Sequence, residues 1–248
     1  MPDRTDSLAR RISKSFAWLT TGRIVFILFL AALVLAGRNW LAENPRHNPW
    51  APLDLRDERG WATATKLASL RGDTAECRAV LERSEVAFTP LGPTGEGACR
   101  REDRLTSSEL RLTPAAPQVT CPVAAGLYLW LEQDVQTIAQ DVLGTSVERV
   151  EQLGTYNCRR MYGSPEAPWS EHATGNAIDI SAFVLADGRR ISLLDHWDGD
   201  DPEAQFLREA RDAACDSFGT VLSPDYNAAH ADHLHLDQGR NPGFGACR

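Results

Sequence analysis

The sequence predicts an α+β fold, a small antiparallel sheet with flanking helices, preceded by one apolar N-terminal helix. Three observations lead there. Residues 24–37 (IVFILFLAALVLAG) form an uncharged run between Arg23 and Arg38. Beyond it, helical and strand patterns intermix without the regular alternation of a parallel βαβ protein. All six cysteines (Cys77, Cys99, Cys121, Cys158, Cys215 and Cys247) also lie beyond it. With 248 residues, 43% hydrophobic and 24% charged, the composition excludes wholesale disorder and a many-spanning membrane protein.

The N-terminal elements separate by charge. Residues 1–46 carry seven basic groups (Arg4, Arg10, Arg11, Lys14, Arg23, Arg38, Arg46) against Asp3, Asp6 and Glu43. The net charge of −8 therefore hides a strongly acidic remainder, which repels phosphate backbones, so no nucleic acid partner is expected. The apolar run is short of the roughly 20 residues that span a bilayer. Arg23 can snorkel, and counting from Trp18 to Trp40 then gives a spanning segment with an aromatic at each interface. We read residues 1–15 as a cytoplasmic basic tail, 16–40 as a membrane anchor or signal segment, 41–60 as a proline-containing linker, and 61–248 as the folded domain. An uncleaved anchor is preferred because the basic region before the apolar core is long for a signal peptide. The expected location is the inner membrane, single-pass with the C-terminal domain in the periplasm; the alternative is a secreted or periplasmic protein after signal cleavage.

Within the domain, Asp73 and Glu76 resemble a helix-start box for a helix through Glu82, followed by a Val86–Phe88 strand. Residues 89–103 read as loop. Thr120 as cap and Pro122 in the first turn open a helix whose Leu127, Leu131, Val135, Ile138 and Val142 share a face, closed by Gly144. Strands are expected near 146–153 and over 177–185. Asp187-Gly188 turns the chain into a hairpin arm, Arg190–Leu194. A helix from Asp201-Pro202 runs to Phe218-Gly219, and Thr220–Leu222 and Asp232–Asp237 are short strands. No CxxC spacing occurs among the cysteines. An even number in an exported chain predicts up to three disulfides, with 15 pairings open; Cys215–Cys247 and Cys77–Cys99 are preferred.

The chemistry concentrates in the histidines. Of six in the chain, His230, His233 and His235 fall within HADHLHLD, and His172 stands seven residues before Asp179 in SEHATGNAIDISAF. Imidazole and carboxylate are the donors zinc takes in catalytic sites, where three protein ligands leave a position for water. On a strand His233 and His235 face the same side. Gly175 and Ala177 are small, as suits crowded backbones at a metal. The string Ser170-x-His172-x-x-Gly175-x-Ala177-x-Asp179 has a chance expectation on the order of 10⁻⁴, so it is specific. His196 with Asp195, Asp198, Asp200 and Asp201 makes no complete calcium loop and reads as a solvated face. Trp169 either walls a cleft or packs in the core.

These motifs resemble the zinc D-alanyl-D-alanine carboxypeptidases and the wider group with lysostaphin-type endopeptidases and the hedgehog signalling domain. From about Asn48 to Arg248 the chain is more similar to the bacterial extensin-like C-terminal domain family. The segments that carry this are PLDL near residue 52, Cys121-Pro122, Tyr156-Asn157-Cys158-Arg159, SEHATGNAIDI and HxxHxHLD. The resemblance implies a zinc ion held by His172, Asp179 and His235, with His233 orienting or deprotonating the metal-bound water and His230 as an accessory histidine. Where the group places a glutamate base, this chain has Asp232, one methylene shorter, which shifts the base role towards His233. Arg159 or Arg160 suits a substrate carboxylate, and Ser170 a bond to substrate or to the ligand loop. The implied activity is hydrolysis of amide bonds in peptidoglycan peptide stems. The alternative is a zinc-stabilised, non-catalytic cell-wall-binding module, since one scaffold serves both roles.

Overall fold

A computed structural model describes residues 4–239 and 246–248, with side chains from residue 22 onward. The side chains of the basic tail and of Trp18 lie outside the described residues. Two compact units separate between Ala51 and Pro52.

The first unit is dominated by helix α1, Arg4–Glu43. Its stretch Gly22–Glu43, 22 residues, is long and apolar enough to cross a membrane, and it lies near the N-terminus. That is compatible with a single-pass anchor or a signal peptide. After the helix, His47 stacks on Trp40 with ring centroids 5.4 Å apart.

The second unit is mixed α+β. Its chain enters with Leu53 and Leu55, both buried in the core, so part of the proline-containing stretch is packed. Helices α2 (Thr63–Ser69) and α3 (Thr74–Arg83) come next. Asp73 caps α3 as expected, its Oδ1 accepting from Glu76 N at 2.9 Å. The strand expected at Val86–Phe88 does not form there. Val86 N instead donates to Leu81 O at 3.0 Å, folding the chain back over the helix end. Pairing starts later, with β1 (Thr89–Leu91) antiparallel to β2 (Arg104–Thr106), inside and just after the stretch read as loop.

The main sheet has six strands. They are β3 (Leu112–Thr113), β4 (Val147–Gly154), β5 (Ala177–Leu185), β6 (Arg190–Ser192), β7 (Thr220–Leu222) and β8 (Leu234–Asp237). Their order is β3-β4-β5-β8-β7, with β6 also pairing β5. The sheet is antiparallel except for the β3–β4 pair, which is parallel and corrects the wholly antiparallel expectation. The two-residue strand β3 carries too little sequence for periodicity to reveal it.

Helix α4 (Cys121–Leu129) is nearly all buried. Its N-terminus is not capped by the Thr120 side chain. Asp103 Oδ2 accepts from Cys121 N at 2.6 Å, while the Thr120 hydroxyl bonds to Asn176 Oδ1 at 2.8 Å. The single long helix expected through Val142 is interrupted by a π turn, Trp130–Val135, before α5 (Gln136–Leu143). The wider turn rotates α5 about its axis, so Ala139 is buried while Ile138 and Val142 are only partly so. Gly144 ends α5 at φ 69°. After α6 (Leu193–His196), helix α7 spans Pro202–Ala214, stopping short of the expected Phe218. Phe218 turns inward instead. It packs edge-on to Trp130, which also meets Phe183 of β5, while Trp130 Nε1 donates to Ala210 O at 2.9 Å. These rings lock helices to sheet behind the strands that carry the site.

Three disulfides staple the unit: Cys77–Cys121, Cys99–Cys158 and Cys215–Cys247. The last is the pairing preferred from sequence. Cys77–Cys99 is corrected, because packing of α3 against α4 brings Cys77 to Cys121, and Cys99 is free to hold Cys158 beside the site.

Candidate functional site

The core of the site is a strand pair. β5 and β8 lie side by side, and their register sets Asp179 directly opposite His235. The third residue arrives on a short turn, Glu171–Thr174, which seats His172. Ser170 starts that turn by accepting from His172 N at 3.3 Å. Gly175 closes it at φ 73°. A Cβ at Gly175 would meet only ordinary contacts, so the glycine serves the left-handed turn rather than crowded backbones.

The three side chains meet at their tips. His172 Nε2 is 3.2 Å from Asp179 Oδ1 and 3.1 Å from His235 Nδ1, and His235 Nδ1 is 3.0 Å from Asp179 Oδ1. His172 and His235 are buried, and Asp179 is partly so. Such a triangle of donors could hold a metal ion. Its electrostatics favour positive charge beside the Asp179 carboxylate. Burial raises the Asp179 carboxyl, but hydrogen bonds from His172 and His235 outweigh it and hold the group well below the usual carboxylate range. Burial likewise opposes charge on His235, yet Asp179 and Asp237 lift it to about 9.

Asp237 was not singled out from the sequence. It lies two residues after His235 on β8, on the same face, and its Oδ2 is 3.0 Å from His235 Nε2. Its side chain is only 8% exposed, and Gly239 N donates to its other oxygen at 2.8 Å. The carboxylate thus fixes the His235 ring with Nδ1 towards the cluster. The period-two spacing of His235 and Asp237 was the available signal. Outer partners of this type typically carry about 10–100-fold in metal affinity. Asp237→Ala is expected to weaken metal uptake by that factor, read in competition with a chromogenic chelator.

His233 does not sit in the strand, because β8 begins at Leu234. Its ring still reaches the cluster. Nε2 is 3.6 Å from Asp179 Oδ1, and Nδ1 is 2.8 Å from Asp232 Oδ1. Asp232 therefore meets the cluster only through His233. His230 bonds through Nδ1 to Asn227 Oδ1 at 2.8 Å, and its ring lies 5.1 Å from that of His233. Burial and the neighbouring imidazoles push His230 down to about 4, so at neutral pH it adds no positive charge to repel a cation.

A cavity of about 180 Å³ opens onto these groups, walled also by Arg159, Tyr162 and Ser170. Arg160 is not among its walls. It stacks over Trp169 at 4.6 Å and donates to Ala167 O at 2.6 Å. Trp169, 41% exposed, walls a neighbouring cavity of about 260 Å³ rather than the core. Between the two cavities Tyr162 holds φ 55°, a left-handed conformation unusual for a bulky residue, and its hydroxyl is 3.1 Å from that of Tyr226.

Comparison with known proteins gives one family. No curated protein and no solved structure matches the chain. The family described as extensin-like protein C-terminus matches residues 75–248, which include all three disulfides and every residue of the cluster. The chain belongs to the extensin-like protein C-terminus family.

Proposed function

We propose that the protein is a zinc-dependent hydrolase of amide bonds in peptidoglycan peptides, acting as a carboxypeptidase or endopeptidase. In this reading it is tethered to the inner membrane by α1 with its folded unit in the periplasm. The observation that carries the reading is the triangle of His172, Asp179 and His235 with a braced histidine beside it. Tetrahedral zinc with ligands at about 2.0–2.1 Å sets neighbouring donors about 3.3 Å apart. The donors here, 3.0–3.2 Å apart, fit that spacing, and two imidazoles with one carboxylate fit its chemistry. Three disulfides suit an oxidising compartment.

Zinc, when bound, would acidify a water and polarise the scissile carbonyl. His172 Nε2, Asp179 Oδ1 and His235 Nδ1 would hold it, with Asp237 fixing the His235 ring. His233 supplies the proton traffic. Asp232 accepts from Nδ1–H and so leaves the Nε2 lone pair facing the cluster, the tautomer control familiar from histidine–carboxylate pairs. Nε2 takes a proton as the water oxygen bonds to the carbonyl carbon, then returns it to the amine as the C–N bond breaks. Arg159, on the cavity wall, would pair with a substrate carboxylate.

The direct test is digestion of purified peptidoglycan fragments by the full-length protein in detergent, read by mass spectrometry. Hydrolysed amide bonds are expected with zinc, none after chelation, and recovery when zinc is restored. Intact fragments under all three conditions would remove the hydrolase reading.

A further inference from the structure

The cavity over the cluster continues past it. It shares Met161, Tyr162, Ser170, Leu222 and His235 with the neighbouring cavity of about 260 Å³, so the two form one cleft that runs by the triangle of donors. The far part of that cleft has a flat wall. Trp169 is anchored by backbone pairing with Arg160, and the loop between them is closed by a bond from Met161 N to Pro168 O at 2.9 Å. The Arg160 guanidinium lies over the indole at 4.6 Å and is pinned by Ala167 O. Arg160 walls neither cavity, so the cleft meets the indole on the side away from the guanidinium. One face of the ring is used by the protein, and the other is left to the cleft.

The polar lining of this part is led by hydroxyls, those of Tyr162, Ser170, Thr220 and Tyr226. The Tyr162 and Tyr226 hydroxyls stand 3.1 Å apart. One donates to the other, so the accepting hydroxyl keeps its own hydrogen for a third partner. Tyr162 is held in the left-handed region at φ 55°, a backbone cost of the kind found at ligand clamps. The carboxylates nearby do not make a seat for a cation. Both Asp237 oxygens are engaged, by His235 and by Gly239 N. One Glu171 oxygen accepts from Asn176 at 2.7 Å, and Arg71 stands close enough to both carboxylates to offset their charge.

A flat apolar wall with hydroxyl donors and acceptors beside it is the complement of a pyranose ring. Such a ring gathers C–H bonds on one face and carries hydroxyls around its edge. The electron-rich face of an indole attracts those slightly positive hydrogens. We propose that this part of the cleft is a subsite for one sugar ring, stacked on Trp169, of the glycan that carries the peptide. This rests on the peptide-hydrolase reading and specifies it: the protein selects peptides still joined to glycan over free ones.

The test compares two probes on full-length protein, in a detergent without a sugar headgroup and with chelator so that nothing is cleaved. One is a peptidoglycan fragment with its N-acetylated disaccharide and peptide stem, the other the same stem without sugars, both titrated by calorimetry. The sugar-bearing fragment is expected to bind about tenfold tighter, the scale of one stacked ring. Trp169→Ala is expected to close that gap, and Trp169→Phe, which keeps a flat ring, to retain most of it; circular dichroism checks the fold of each. Equal binding of the two fragments, binding of neither, or a gap that survives Trp169→Ala overturns the subsite. Cleavage is read separately with zinc present. Hydrolysis of both fragments with equal kcat/KM would remove the subsite and leave the hydrolase. Tighter, Trp169-dependent binding of the sugar-bearing fragment, with hydrolysis of neither, would remove the hydrolase and leave a glycan-binding cleft.

Discussion

His235→Ala is expected to take the full-length protein from about one zinc per chain to none, measured by elemental analysis after dialysis. The wild-type ratio comes from a single cluster of the right donors among the described residues. The loss should exceed the roughly 10–100-fold that removal of an outer partner costs, because one of three donor atoms disappears. The variant also leaves Asp179 and Asp237 facing each other across the emptied position with no imidazole between them. Circular dichroism and a mass measurement of intact disulfides should therefore accompany it. A folded variant that keeps its zinc would remove the ligand assignment.

The same residue sets the pH dependence of uptake. His235 holds its proton up to about 9 when no metal is present, above the ordinary value near 6.5. Zinc must displace that proton. Apparent zinc affinity should therefore rise about tenfold per pH unit from 7 to 9 and then level off. Asp179 adds nothing in this window, because its carboxyl stays ionised far below it. A flat profile across the window would mean that Nδ1 of His235 is not a ligand.

His233→Ala is expected to lower hydrolysis of wall fragments by about 10²–10⁴-fold, the range for loss of a general acid–base group, with zinc content unchanged. The separation is a matter of geometry. His233 Nε2 stands 3.6 Å from Asp179 Oδ1, beyond hydrogen bonding, and its other nitrogen is committed to Asp232. It can reach a water or an amine over the cluster without being one of the three close donors. Steady-state rates beside elemental analysis check both halves. Full activity would place the base elsewhere. Loss of zinc together with activity would make His233 a ligand. Wall binding that survives the substitution, in a protein that never hydrolyses, would favour the non-catalytic module.

Much of this protein was legible in its residues because the signals were local. The apolar run before Arg38, the Asp73 cap, the Asp187-Gly188 turn and strands β4 and β5 each depend on neighbours a few positions away. Composition gathered His172, Asp179, His230, His233 and His235 as donors in two short segments, and the resemblance to zinc peptidases implied the three that the structure brings together. Long-range contacts decided the rest. Asp103, not Thr120, caps α4, because that cap reaches across from another segment. The π turn displaced the apolar face predicted for a continuous helix, and the inward packing of Phe218 ended α7 at Ala214. Cys77 found Cys121 rather than Cys99 because disulfide pairing is set by the docking of helices, and spacing carries no record of that. Composition and pattern thus determined the class of fold, the N-terminal helix and which residues could bind a cation. Only the tertiary structure decided that β5 and β8 align Asp179 with His235, that Asp237 holds the ring behind it, and that Asp232 serves through His233. Register and ring orientation arise from packing between segments more than fifty residues apart in the chain, and no local propensity encodes them.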